Sequence, residues 1–195
     1  MLKEALKNYQ LILASGSPRR QDFFKKLDLD FKIDVREVEE VFDPSLKEAD
    51  ITDYLACLKA SAFDDLQAGD ILVTSDTIVW MNDRAIGKPT DRQHAISMLQ
   101  ELSGKMHKVF TSVCFTTKEA QKVVNDCTSV WFKELNLEEI EYYLDNYRPY
   151  DKAGSYGIQD WLGYIAIEKI EGSFFNVMGL PTRLVYRELL ELAKA

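Results

Sequence analysis

The chain has 195 residues, 46% of them hydrophobic, and a formal net charge of −8 at neutral pH. That length suits one domain or two small lobes sharing a core. The acidic balance makes the chain a poor candidate for wrapping DNA or RNA, whose binding is driven by phosphate neutralisation, and the lack of any apolar run of about 18 residues argues against a transmembrane helix.

Taken in order, Leu11 to Ala14 is a short continuous apolar run, the pattern of a strand buried on both faces. Ser17 before Pro18 marks a helix start, and Phe23, Phe24 and Leu27 give that helix one apolar face. Phe31 to Val35 alternates like a strand, and the acidic stretch Glu37 to Glu40 follows. A cap at Thr52 predicts a second helix, with Leu55, Leu58, Ala62 and Leu66 on its buried stripe and Gly69 as its end. Ile71 to Val73 predicts a buried strand, with a polar break at Thr74 to Thr77 before Ile78 to Trp80 and a hairpin turn at Asn82-Asp83. Thr90 to Gln93 matches a capping box for a helix carrying Ala95, Met98, Leu99 and Leu102 and closed by Gly104. Two strand-like stretches, from His107 to Thr117 and from Lys122 to Lys133, pattern as an antiparallel hairpin. Asn136 caps a helix carrying Ile140, Tyr143, Leu144 and Tyr147. A glycine-containing loop, a strand near Ile165 to Ile170 and a last helix from Pro181 complete the chain. The mixture of βα units and hairpins predicts an α/β fold, a mixed β-sheet flanked by helices, with residues 1–195 as a single domain.

The three cysteines, Cys57, Cys114 and Cys127, are odd in number and far apart, and they form neither a metal motif nor a disulfide framework. The polar stretch Met1 to Gln10 lacks the apolar centre of a secretory signal. A reducing cytoplasm is therefore the expected compartment.

Several segments carry residue types suited to a polyphosphate. Ser15-Gly-Ser-Pro-Arg-Arg20 lies between a buried strand and a helix, where free N–H groups attract anions and Arg19 and Arg20 can grip phosphate oxygens in pairs. The bland reading is a capped helix with solvated arginines. Asp76 sits among apolar residues, where a carboxylate is costly unless it is paired or bound to a cation. It is either a turn residue capping local N–H groups or a group that holds a divalent metal and activates water. Lys59 borders the apolar stripe of its helix and reads equally as a snorkelling surface lysine. Lys88 is presented by the restrained Gly87-Lys-Pro89 loop, and Glu40 ends an acidic run. In Lys152-Ala-Gly-Ser-Tyr-Gly-Ile-Gln159, glycines permit close approach of a ligand, and Gln159 offers both a donor and an acceptor to a base edge. His94 and His107 have no partner at catalytic or metal spacing and read as structural.

Together these segments resemble the Maf family of nucleotide pyrophosphatases. Leu13 to Arg20, Val38-Glu-Glu40, Leu58-Lys-Ala60, Ser75-Asp-Thr77, Gly87-Lys-Pro89, Leu102 to Lys105 with His107, Lys152 to Gln159 and Val177-Met-Gly-Leu-Pro181 follow the family's order over nearly the whole chain. The resemblance implies an elongated fold of two lobes around a nucleotide cleft, with Mg²⁺ or Mn²⁺ carried alongside a nucleoside triphosphate. It puts Asp76 on the catalytic position and Ser15, Arg20, Glu40, Lys59 and Lys88 on the phosphate and metal site, Glu40 and Asp76 being the metal ligands. Arg19, Thr77 and Gln159 fall on positions that sort the subgroups, and all three side with the dTTP/UTP type. Ser75 and Asp160 depart from the family pattern, which has alanine and glycine there; the second departure leaves base preference more open than reaction type. The readings that compete are a nucleotide-binding regulator of cell division that does not hydrolyse, an enzyme preferring 7-methyl-GTP or another modified nucleotide, and a nucleic-acid-binding module, which the acidic balance disfavours. A homodimer is implied by the resemblance alone, and no membrane partner is expected.

Overall fold

The buried apolar runs of the sequence become neighbouring strands of a mixed sheet. The computed structural model describes residues 1–194. Its strands are β1 (Gln10–Leu13), β2 (Phe31–Ile33), β3 (Asp70–Met81), β4 (Arg84–Ile86), β5 (Met106–Thr116), β6 (Gln121–Phe132) and β7 (Ile167–Glu171). They pair in the order β2-β1-β3-β5-β6-β7, with β4 added to β3. β1 runs parallel to β2 and β3, whereas β4 and β7 pair antiparallel with β3 and β6. The helices are α1 (Leu2–Ala5), α2 (Pro18–Lys26), α3 (Ala49–Ala60), α4 (Arg92–Leu102), α5 (Leu137–Tyr147), α6 (Trp161–Ala166), α7 (Phe174–Val177) and α8 (Thr182–Leu192), with a short 3₁₀ turn at Ala153–Ser155. Among the described residues no helix is long and apolar enough to cross a membrane.

The chain divides into two compact units, neither of them a single stretch of sequence. The first comprises Met1–Asp76, Thr111–Asp126 and the residues from Gly179 onward. Leu11, Leu13, Ile71, Leu72 and Val73 are buried there, as expected of parallel strands covered on both faces. From α3, Ala56 and Ala60 pack with Phe63, Leu72 and Cys114. The helix differs from the sequence expectation at both ends. It starts at Ala49, so Thr52 lies inside it, donating to the Ala49 carbonyl at 3.0 Å and sharing a hydrogen bond with Ser112 Oγ at 2.6 Å. It stops at Ala60 rather than near Gly69. Arg36 explains the early stop: it donates to the Ala62 carbonyl at 3.0 Å and to Asp65, and lies 4.1 Å over the Phe63 ring, which pins this segment in a non-helical path. Gly69, at φ +90, turns the chain into β3 instead.

The second unit comprises Thr77–Phe110 and Cys127–Met178. Its core gathers Val79, Ile86, Leu99, Leu102, Val109, Val130, Ile140, Tyr143 and Leu144. Asn136 caps α5 as expected, its side chain accepting from the Glu139 N–H while Glu139 reaches back to the Asn136 N–H. For α4 the cap is one residue later than expected: Asp91, not Thr90, accepts the His94 N–H at 2.8 Å. Asn82 and Asp83 adopt φ +53 and +55 in the tight turn between β3 and β4.

The expected polar break at Thr74–Thr77 does not exist. β3 is one strand of 12 residues and Asp76 lies within it rather than at an end. A run of polar residues interrupts a buried strand only if it lacks partners, and Thr74 donates to the Ala56 carbonyl at 2.7 Å while Asp76 is ion-paired.

His107 is structural, as the sequence suggested. Its Nε2 shares a 2.7 Å hydrogen bond with the Tyr156 hydroxyl, edge-on to the Phe132 and Tyr156 rings. Burial pushes its pKa down to about 3. The unfolded chain therefore takes up a proton that the folded one refuses as pH falls from about 6.5 towards 3, and this residue costs about 1.4 kcal/mol of stability per pH unit in that window. His107→Gln is expected to flatten the fall of the urea midpoint between pH 6.5 and 3 relative to the parent. An identical slope would show that His107 is protonated in the folded protein.

Candidate active site

Asp76 and Thr74 share one face of β3, two residues apart, and that face meets α3. Thr74 takes the Ala56 carbonyl, and Asp76 Oδ1 receives Lys59 Nζ at 2.6 Å, close to one helical turn further along. Glu40 Oε2 lies 3.2 Å from the same ammonium, so Lys59 bridges two carboxylates. The side chains of Asp76 and Lys59 are 10% and 18% exposed against 47% for Glu40, which places the bridge at the edge of the interior with Glu40 on its open side. Burial raises the Asp76 pKa above the ordinary carboxylate value; Lys59 and then Arg20 oppose it, and Glu40 adds to it. Asp76 is therefore a carboxylate whose charge is only partly compensated.

Arg20 stands in the first turn of α2. Its Nε donates to the Gly179 carbonyl and its Nη1 to the Ser75 carbonyl, each at 2.8 Å, and Nη1 lies 3.5 Å from Ser15 Oγ. Burial lowers its pKa, with Asp76 acting against that shift; an arginine stays charged through such a change. A single guanidinium thus ties the loop before α2, the middle of β3 and the turn before α8. Ser17 begins the helix, yet its side chain makes no capping bond. The buried Ser15 folds back on the loop just before the helix, its hydroxyl accepting the Ser17 N–H at 3.3 Å. Arg19 follows the helix's first residue, half-buried beside Arg20.

Five expected residues, Ser15, Arg20, Glu40, Lys59 and Asp76, thus gather in the first unit. Thr77, Lys88 and Gln159 belong to the second. Thr77 is half-buried in β3 and Lys88 is exposed after β4. The loops of Lys88 and Gln159 are tied together, the Gly154 N–H donating to the Gly87 carbonyl at 2.9 Å. Gln159 Nε2 donates to Asp160 Oδ1 at 3.1 Å. A Cβ added at Gly16 or Gly87 would meet no atom within 4 Å, and neither glycine has a positive φ. Packing and backbone strain therefore do not account for glycine at these two positions.

Sequence reasoning missed the two carbonyls that hold Arg20. Gly179 lies in the Val177-Met-Gly-Leu-Pro181 segment, and its φ of +101 is the physical reason for glycine there; the segment was visible, its role was not.

The family model described as Maf-like protein matches residues 10–192. A protein of Flavobacterium psychrophilum named dTTP/UTP pyrophosphatase is 58% identical over 97% of this chain and 98% of its own length. One of Christiangramia forsetii with the same name is 57% identical over 98% of each. Among solved structures, the Ham1 protein of Staphylococcus aureus aligns with a TM-score of 0.52 over 92% of this chain and 99% of that one, at 15% identity, a likeness of fold alone.

Proposed function

This chain belongs to the Maf family, and on that premise we propose that it hydrolyses dTTP and UTP to the monophosphate and pyrophosphate, acting in the cytoplasm on free nucleotides. The observation that carries the reading is the buried Asp76, short of compensating charge, bridged through Lys59 to Glu40 and flanked by Arg20. A carboxylate so placed serves as a base and as a cation ligand. The relatives' names supply the substrate class, and the open glycines at Gly16 and Gly87 support close approach of phosphate.

Glu40 and Asp76 fit a divalent cation. Among the described residues no three His, Cys, Asp or Glu side chains form a metal cluster, but Mg²⁺ is held by one or two carboxylates completed by substrate phosphates and water. Mg²⁺ or Mn²⁺ bound by Glu40, Asp76 and phosphate oxygens would screen the triphosphate charge and acidify a nearby water. The chain's own groups do the rest. Arg19, Lys59 and the N–H groups at the start of α2 suit the first unit to phosphate, and the exposed Lys88 suits the second. Arg20 holds the Ser15 loop, and Asp76 takes a proton from the attacking water. The water oxygen bonds to the α-phosphorus, the α–β phosphoanhydride bond breaks, and pyrophosphate leaves. Positioning and electrostatics supply most of the rate in such a displacement. Thr77 and Gln159 face the choice of nucleotide rather than the reaction.

Pyrophosphate release with Mg²⁺ from dTTP, UTP, CTP, dATP, GTP and 7-methyl-GTP tests this. Fast release from dTTP and UTP is expected. Release from none, with binding intact by calorimetry, would replace the enzyme by a nucleotide-binding protein. Lys59→Met tests the electrostatics of the base. Asp76 works ionised, so activity falls as pH drops through its raised pKa. Losing Lys59, the largest influence holding that pKa down, moves the acidic limb of kcat/KM to higher pH. A limb that stays in place would show that Lys59 does not set the charge of Asp76.

A further inference from the structure

The loop that carries Gln159 is braced from beneath by one carboxylate. Asp160 is the residue that leads into α6. Its Oδ2 accepts the hydroxyl hydrogen of the buried Tyr143 at 2.8 Å, and the same hydroxyl oxygen accepts the Gly157 N–H at 3.0 Å. Lys152 Nζ lies 3.9 Å from Asp160 Oδ2. The other oxygen, Oδ1, is left for Gln159 Nε2. A carboxylate accepts and cannot donate. The Gln159 amide therefore has one permitted orientation, with its NH₂ turned to Asp160, and a flip would set oxygen against oxygen. Its carbonyl oxygen, Oε1, is consequently fixed as an acceptor, and it is buried with no hydrogen-bond partner. Keeping such an acceptor without a donor is costly, and a ligand that brings the donor removes the cost.

We propose that Asp160 is a positioning residue that fixes the Gln159 amide with its acceptor towards the base, so that the enzyme selects pyrimidines bearing an imide N–H over cytosine. The inference rests on the reading above that a nucleotide base reaches Gln159. Uracil and thymine carry a hydrogen on ring nitrogen N3 and satisfy Oε1. Cytosine has a lone pair on that nitrogen and meets Oε1 acceptor to acceptor. A site built to bond one group discriminates strongly against an analogue that leaves its polar atom unpaired. An amide free to flip would serve both bases, because its NH₂ pairs with cytosine as readily as its carbonyl pairs with uracil. The selectivity thus resides in the carboxylate that the base never touches.

The experiment compares kcat/KM for UTP and CTP, which share a sugar and triphosphate, in the full chain with Mg²⁺. Asp160→Asn, whose own amide offers either a donor or an acceptor, is expected to lower the UTP preference about tenfold, the worth of one hydrogen bond. Asp160→Glu, which keeps an obligate acceptor, retains the preference, and Gln159→Leu loses it. A general loss of order lowers both nucleotides together and leaves their ratio in place, which separates positioning from scaffolding. Should Asp160→Asn fail to fold by thermal melting, Asp160→Gly, tolerated at a helix start, carries the same expectation. An unchanged ratio in the Asp160 variants with a collapsed ratio in Gln159→Leu overturns the proposal, since Gln159 then reads the base unaided. An unchanged ratio in all variants overturns it together with base contact at Gln159. If the parent releases pyrophosphate from neither nucleotide, the hydrolytic reading fails, and the ratio of UTP to CTP affinities by calorimetry in the same variants decides this inference separately.

Discussion

Asp76→Asn is expected to cut pyrophosphate release by about a thousandfold, the scale of a lost general base, while the protein melts no lower than its parent. The two halves of this result have one cause. Burial raises the Asp76 pKa in the folded protein. A carboxylate raised in this way stabilises the fold below its unfolded pKa, and that contribution is lost as pH rises through the folded value. At neutral pH the ionised Asp76 is thus a burden on the fold, as expected of the base proposed above. Asparagine removes the charge and keeps an oxygen for Lys59, which still has Glu40 at 3.2 Å. Thermal melting at pH 7 and nucleotide calorimetry, run beside the turnover assay, check each part. Binding that disappears with turnover would make Asp76 an anchor for the ligand rather than its base, and a clearly lower melting temperature would mean that the Lys59 pair stabilises the fold.

Gly163→Ala is expected to be among the most damaging single-methyl changes in the protein. A Cβ on this residue of α6 would lie 1.8 Å from the Ile158 carbonyl oxygen and 2.5 Å from its carbon. Both are backbone atoms, so no side-chain rotation relieves the clash. Either α6 or the Gly157–Asp160 segment has to move, at a cost of about 3 kcal/mol. For a chain of this size that is a fall in melting temperature of about 6–12 °C. The displaced segment carries Gln159, so UTP turnover falls with it. Gly16→Ala serves as the control for stability, since its Cβ meets nothing within 4 Å and its melting temperature should match the parent. A Gly163→Ala protein that melts like its parent would mean that the loop relaxes freely and that the close approach is not required.

Elements marked by local chemistry were legible in the sequence. Asn136 with Glu139, Pro18 at the start of α2 and the Asn82-Asp83 turn act through neighbours a few residues away, so the chain itself displays them. Features set by distant partners were not. Arg36 ends α3 early through Ala62 and Asp65, and β3 continues through Thr74 to Thr77 because Ala56 and Lys59 satisfy its polar side chains. The same division runs through the site. The residue types of Ser15, Arg20, Glu40, Lys59 and Asp76 were visible, and their order along the chain carried the family resemblance. That Lys59 would bridge two carboxylates was not visible, because three separate segments meet there. Nor was the clasp of Arg20 on the Ser75 and Gly179 carbonyls.

The clasp on Gly179 also has a bearing on synthesis. Residues from Gly179 onward return to the first unit, whereas the second unit is complete by Met178. A chain growing from its N-terminus therefore has all of the second unit in hand while the first still lacks α8 and the carbonyl that Arg20 seeks. Domains form as their last segments emerge, so the charged cluster around Asp76 is completed at the end of translation. A nascent chain released before Gly179 carries Asp76, the base proposed above, without the fixed arginine beside it.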